Sequence, residues 1–201
     1  MTPPDLDTAH LVALAAALGW ASGVRLYLVV FLTGLAGALG WVALPPGLHV
    51  LQSPLLLVAS GVLATIEFVA DKIPAVNAFW DGLHTLLRVP GGAVLAAAAF
   101  GGDQAQWTLV AALAGGALAA TSHVAKTTTT ASLTTLPEPV THAGVSLVSD
   151  LSVPAMLWLS LSHPAVFAVV LAVVVVTMVG ITVVLFRFLR ALTRRLLGRP
   201  A

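Results

Sequence analysis

The chain has 201 residues, of which 59% are hydrophobic and only 8% charged, with a formal net charge of +1 and no cysteine. That balance leaves no basic surface for nucleic acid and no room for a separate soluble domain, and without cysteine there are no disulfides, thiol catalysis or iron–sulfur ligands. It fits an all-α, polytopic transmembrane helix bundle forming one integral membrane domain over 1–201, because a bilayer core takes about 20 apolar residues per helix and most of the chain consists of runs near that length.

In chain order, the apolar runs predict helices near 8–24, 27–45, 53–70, 85–102, 107–126, 144–162 and 164–188. The first is preceded by Asp5 and Asp7 and by no Lys or Arg, so it reads as a retained helix rather than a signal peptide. "ASGVR" (21–25), "LPPG" (44–47), "GGDQAQ" (101–106) and "SHPA" (162–165) supply the breaks, and Pro164 is placed to open the last helix. The fourth and sixth helices are poor spans. One carries Arg88 and Pro90 in its first turns and the other Asp150 and Pro154, so either is a candidate for a broken or partly re-entrant helix. The mixed segment 73–84 is expected along the inner interface, and 126–142, with six threonines between 127 and 135, is expected as a long polar loop.

Charge placement orients the seven spans. With the N-terminus outside, the inner connections hold Arg25, Lys72, Arg88, Lys126 and the tail residues Arg187, Arg190, Arg194, Arg195 and Arg199, which together are all nine Lys and Arg. The outer connections hold Asp5, Asp7 and Asp103. The positive-inside rule therefore gives N-out and C-in, with Trp41, Trp107 and Trp158 near outer ends and Trp20 and Trp80 near inner ends. The Arg-rich tail 187–201 is expected to touch anionic lipid head groups.

A parallel internal repeat is also legible. "ATIEFVADK" (64–72) overlays "AATSHVAKT" (119–127), placing Glu67 on Ser122, and "RVPGGAVL" (88–95) overlays "SVPAMLWL" (152–159), placing Pro90 on Pro154. Units 53–102 and 107–162 would then be related by an axis along the membrane normal, as in many transporters.

"ATIEFVADKIPAVNAFWDGLHTLLRVPGG" (64–92) concentrates Glu67, Asp71, Lys72, Asp81 and Arg88 against apolar neighbours. Carboxylates in lipid are costly and usually face the bundle interior. Glu67 and Asp71 share one helix face, with Glu67 about 6 Å deeper. A carboxylate so placed either exchanges a proton or cation or is held permanently by a cation. In the first reading Glu67 is the site, Asp71 its inner gate and Lys126 the counter-charge. In the second Glu67 pairs with Lys126 or Arg88 and pins the fold. Arg88 and Asp150 are expected to pair with each other between helices four and six, the alternative being that Arg88 receives an anionic group; Lys72 is expected to snorkel. Asp81, His84, His123 and His142 form a weaker polar or metal-like set, without an HExxH or paired cysteines to specify a metal. His10, His49 and His163 fall at outer ends as polar caps. Gly34, Gly37, Gly40, Ser60, Ala64, Gly115 and Ala119 have the small-residue spacing of close helix approach.

At "SGVR" (22–25), "EFVADKIP" (67–74), "HVAK" (123–126) and "SLVSD" (146–150) the chain resembles the bacterial membrane proteins of the domain of unknown function 4126 family, over residues 10–185. Members usually continue with an aspartate, where this chain has Asn77, and with an arginine, here Arg88. Their later loop has an Asn-Pro and an acidic pair, where this chain has Glu138-Pro139 and Ser149-Asp150. The resemblance implies a multi-pass protein of the bacterial cytoplasmic (inner) membrane and no established activity. Two functions fit the residues. One is a small secondary transporter or channel-like permease for a small ion or solute, its path lined by Glu67, Asp71, Arg88, Lys126 and Asp150. The other is a non-transporting scaffold or lipid-binding assembly factor whose charges are structural pairs. No enzyme activity and no cofactor is expected; the lipid bilayer is the expected partner, and the residues leave self-association open.

Overall fold

Asp7 starts the first helix: its carboxylate accepts the backbone N–H of His10 at 2.9 Å, a side-chain cap of the kind that satisfies an otherwise orphaned donor. The computed structural model describes residues 6–71, 73–101, 105–133 and 139–196. Among these are six α-helices, one 3₁₀ helix and no strand: α1 (Thr8–Ala38), the 3₁₀ helix Pro46–Gln52, α2 (Pro54–Ala70), α3 (Pro74–Ala98), α4 (Ala105–Leu133), α5 (Pro139–Ser162) and α6 (Pro164–Leu196). The fold is all-α.

α1 is two helices joined at one extended residue, Arg25 (φ −150°, ψ 88°). A straight helix at 1.5 Å per residue would hold His10 and Ala36 about 40 Å apart, yet both line a single cavity. The chain therefore doubles back at Arg25, and the two halves form an antiparallel hairpin. The hairpin ends in a Schellman motif: Gly40 takes a left-handed φ of 71°, Trp41 N–H donates to Ala36 O at 2.9 Å and Gly40 N–H to Gly37 O at 3.0 Å. Gly40 is thus a cap, whereas the expectation had it as a packing residue.

The hairpin is the core of the bundle. In its most apolar stretch 72% of residues are buried inside the protein, against 0% for α6. Small residues let α3 and α4 close on the first half of α1. A Cβ on Gly19 would lie 2.5 Å from Gly115 Cα, and one on Gly92 2.6 Å from Ala119 Cβ, so the backbones meet where a side chain is missing. Gly115 and Ala119 were anticipated in this role. Gly19 and Gly92, the surfaces they meet, were not.

Several boundaries differ from expectation, each for a local reason. α3 begins at Pro74, so 73–84 is mostly the first half of that helix, and it passes through Pro90 unbroken. α5 likewise continues through Pro154. The broken helix is α1, not the fourth or sixth predicted one. The threonine-rich stretch extends α4 to Leu133: Thr127 donates to His123 O at 3.0 Å and Ser132 to Thr128 O at 2.8 Å, so the hydroxyls are absorbed by the helix's own carbonyls. The second half of α1 stops at Ala38 and not near 45, and a 3₁₀ turn follows that was not anticipated. It meets α2 at 71°. Among the described residues, and by length and composition alone, Ala105–Ser132, Gly144–Ser162 and Pro164–Phe188 are long and apolar enough to cross a membrane, as Thr8–Ala38 would be if it were straight, and the bent pair Pro46–Gln52 and Pro54–Ala70 adds another if it is one span. The expected seven segments are all helical, but two are the halves of α1, and α3 does not reach that apolarity.

Candidate functional site

The helix break is where the charges converge. The guanidinium of Arg25, 1% exposed, reaches Asp71 Oδ2 at the end of α2 at 2.9 Å, the carboxylate of Asp150 on α5, and Ser146 Oγ at 3.3 Å. The Phe68 ring lies 5.9 Å from the guanidinium carbon, within cation–π range. Lys126 of α4 donates to Asp71 Oδ2 at 2.9 Å and to Val24 O at 3.4 Å. That carbonyl belongs to the last turn of the first half-helix, which the break leaves without a full set of partners. Ser122, one turn earlier on α4, donates to Trp20 O at 2.7 Å. The tip of α1 is thus closed by α2, α4 and α5 together.

A second group lies between α2, α3 and α4. Arg88 donates to Glu67 Oε1 at 2.7 Å, with both side chains 1% exposed. Its other terminal nitrogen lies 3.2 Å from His123 Nδ1, and His123 Nε2 lies 2.9 Å from Thr85 Oγ1. Arginine can only donate, so His123 accepts at Nδ1 and its Nε2–H donates to Thr85. His84 packs edge-on against Tyr27, ring centres 5.4 Å apart.

Arg25, Arg88 and Lys126 oppose Glu67, Asp71 and Asp150. Three cations meet three anions, so the described core charges sum to zero. Pairing answers most of the desolvation cost of such groups, but part of the hydrogen-bonding capacity is unused. Glu67 Oε2 and Arg25 Nε and Nη1 are buried and make no hydrogen bond among the described residues.

A family model described as "Domain of unknown function (DUF4126)" matches residues 12–183. The chain belongs to that family. No curated protein and no solved structure matches it.

For this DUF4126 member, Glu67, Asp71, Arg88, Lys126 and Asp150 are all drawn into these two groups, but their pairing differs from expectation. Arg88 holds Glu67, and Asp150 goes to Arg25. The expected Arg88–Asp150 pair does not form because the hairpin tip inserts Arg25 beside Asp150. Lys126 serves Asp71, and of the two cations proposed for Glu67 the one in contact is Arg88. Asp71 and Lys126 are positions the repeat alignment overlays, and they touch. Among the described residues no three His, Asp or Glu gather as metal ligands. His84 and His123 are engaged as above, whereas the side chains of Asp81 and His142 lie outside the described residues, as do Lys72, Asp103 and Glu138. His49 contacts Leu44 O at 2.8 Å, and His163 packs on Trp158. Arg25 is the residue that sequence reasoning missed. It had been placed in an inner connection; the signal for another role was that "SGVR" runs into "LYLVVF" with no proline or polar spacer to carry a loop to the surface.

Proposed function

We propose that this chain is a small permease of the bacterial cytoplasmic membrane that passes a small ion or solute through the charged centre around Arg25. The observation that carries the reading is the break of α1 inside the protein, with ionisable side chains of three other helices, Asp71, Lys126 and Asp150, gathered around it. Non-helical backbone at membrane depth is tolerated where protein covers it or a path runs, and transporter sites are commonly built from such discontinuous helices. Unused polar capacity on Glu67 and Arg25 supports it further, since a lock selected only for stability would be more fully bonded. The path residues are Glu67, Asp71, Arg88, Lys126 and Asp150, joined by Arg25. The reading is one of passage, not of chemical turnover, and the exposed Arg187 and Arg190 at the end of α6 would meet anionic lipid.

The rival is a scaffold or lipid-binding assembly factor. Its support is the dryness of the Glu67–Arg88 pair, both side chains 1% exposed. Flux of candidate ions into proteoliposomes, measured alongside unfolding of Glu67→Gln, separates the two. A permease carries flux that Glu67→Gln abolishes at a temperature where the variant is still folded, whereas a scaffold carries none even in the wild type; both lose stability, because the substitution breaks a buried pair. The substrate class is sought by thermal stability against cations, anions and phospholipids, where a ligand at 100 times its Kd adds about 2.7 kcal/mol. A shift produced by anionic lipid alone would favour the scaffold.

A further inference from the structure

Beside the charged centre, a cavity of about 520 Å³ lies where α4 and α5 part. α4 packs on α3 and α5 on α1, the two scarcely touch, and α6 contacts both. The volume lies within the roughly 300–1,000 Å³ of small-molecule sites, which are mostly apolar with a few placed polar groups. Met156 of α5 and Val174 of α6 supply apolar wall, and Lys126 and Thr129 of α4, with Ser149 and Ser152 of α5, supply polar groups.

The hydrogen-bond donors come from α4. Ser149 and Ser152 each give their proton to a backbone carbonyl at 3.0 Å, which leaves their oxygens as acceptors. Thr129 is only partly buried and lies three residues after Lys126, on the same helix face. The Lys126 ammonium bonds Asp71 Oδ2 at 2.9 Å, and that same oxygen takes Arg25 at 2.9 Å. One carboxylate oxygen is thus divided between two cations, so this contact offsets the charge of Lys126 only in part. A cation beside a hydroxyl at one end of an apolar cavity suits an oxyanion carried on an apolar chain. Lys126 lies about 32 Å along α4 from Ala105, at 1.5 Å per residue. That is close to the thickness of a bilayer core, so the head of such a molecule would sit at an interface and its chain at membrane depth.

We propose that this cavity binds a single-chain anionic amphiphile, an alkyl chain ending in one oxyanion, with an oxygen of the head on Thr129 Oγ1 beside the Lys126 ammonium and the chain along Met156 and Val174. The site shares Lys126 with the charged centre, but it is read by binding and not by flux. Its failure and the failure of the permease reading are therefore separate results.

The test is equilibrium binding of radiolabelled decanoate to the full chain in phosphatidylcholine nanodiscs, with empty discs measured alongside, at about pH 8, well above the carboxylate range. A saturable component absent from empty discs is expected, with decanol competing far more weakly than unlabelled decanoate. Thr129→Val keeps the shape and removes the hydroxyl, and should weaken binding about tenfold or more, the equivalent of one hydrogen bond to a charged group. Ala155 is exposed on α5 and belongs to the lining; Ala155→Phe fills the cavity and should abolish the saturable component while the variant unfolds at the wild-type temperature. Lys126→Met, measured at a temperature where it is still folded, should erase the preference for decanoate over decanol. Binding no greater than in empty discs, or equal in Ala155→Phe, would mean partition into the bilayer only and overturn the site. Decanol competing as well as decanoate would overturn the anionic class, and unchanged affinity in Thr129→Val would overturn the placement of the head. Displacement by phosphatidylglycerol at the same concentration as unlabelled decanoate would overturn the single-chain occupant.

Discussion

Removing Arg88 should be far more damaging than removing Arg88 and Glu67 together. The two meet at 2.7 Å with side chains 1% exposed, which places them among buried pairs and not among surface ones worth about 0–1 kcal/mol. At an effective dielectric of 20 their gross attraction is about 6 kcal/mol, but taking each ion out of water costs several kcal/mol. The pair therefore gains little over apolar side chains of similar size. Arg88→Met alone leaves the Glu67 carboxylate without its partner and also removes a donor from His123 Nδ1, so a loss of about 3–5 kcal/mol is expected. Glu67→Leu/Arg88→Met removes both charges of the pair and should lie within about 2 kcal/mol of wild type, with a coupling between the sites of about 3 kcal/mol or more. The assay is reversible unfolding in mixed micelles followed by helical circular dichroism. Added salt should barely alter the coupling, since buried pairs are poorly screened. Single variants within about 1 kcal/mol of wild type, or a coupling that disappears in salt, would refute the claim that this pair is dry.

Close helix approach should respond to a single methyl group. Gly19→Ala places a Cβ 2.5 Å from Gly115 Cα and should cost about 1–3 kcal/mol in the same assay, whereas Gly180→Ala meets nothing within 4 Å and should be neutral or slightly stabilising. The His10 N–H and ring beside Asp7 hold its carboxyl below the ordinary 3.8, so the capping contribution is complete above that pH and is lost as pH falls through the lowered value. Amide exchange at the first turn of α1 should accelerate, relative to the intrinsic rate, only in that acid range, and Asp7→Asn should remove the pH dependence. Arg25→Met should destabilise more than Lys126→Met, because Arg25 pairs with both Asp71 and Asp150 and its loss takes from Asp150 the cation that joins it to the hairpin; thermal unfolding of the two variants checks the order.

The apolar runs were enough to place nearly every helix, because membrane length and hydropathy act on consecutive residues. Charge rarity similarly singled out Glu67, Asp71, Arg88, Lys126 and Asp150 as residues that must be buried together. Partner choice was not legible. Arg88 and Asp150 sit at similar heights on their helices, and only the insertion of Arg25 between helices, a property of the hairpin's packing, decides who meets whom. The threonines of 127–130 misled for a related reason: composition registers their polarity but not the i−4 carbonyls that satisfy it. Gly19 and Gly92 went unnoticed because a glycine facing a small residue on another helix leaves no periodic pattern in either segment.

The hairpin tip also has a bearing on the order in which the protein is completed during synthesis. Arg25 leaves the ribosome before Asp71, which follows only at the end of α2, and before Asp150 and Ser146, which arrive with α5. Until then an arginine without its carboxylates stands at the turn of a short helical pair, an arrangement lipid disfavours. The first hairpin must wait near water, or in the shelter of the insertion machinery, while its partners are made. A segment made before its partners reaches its final place only after them.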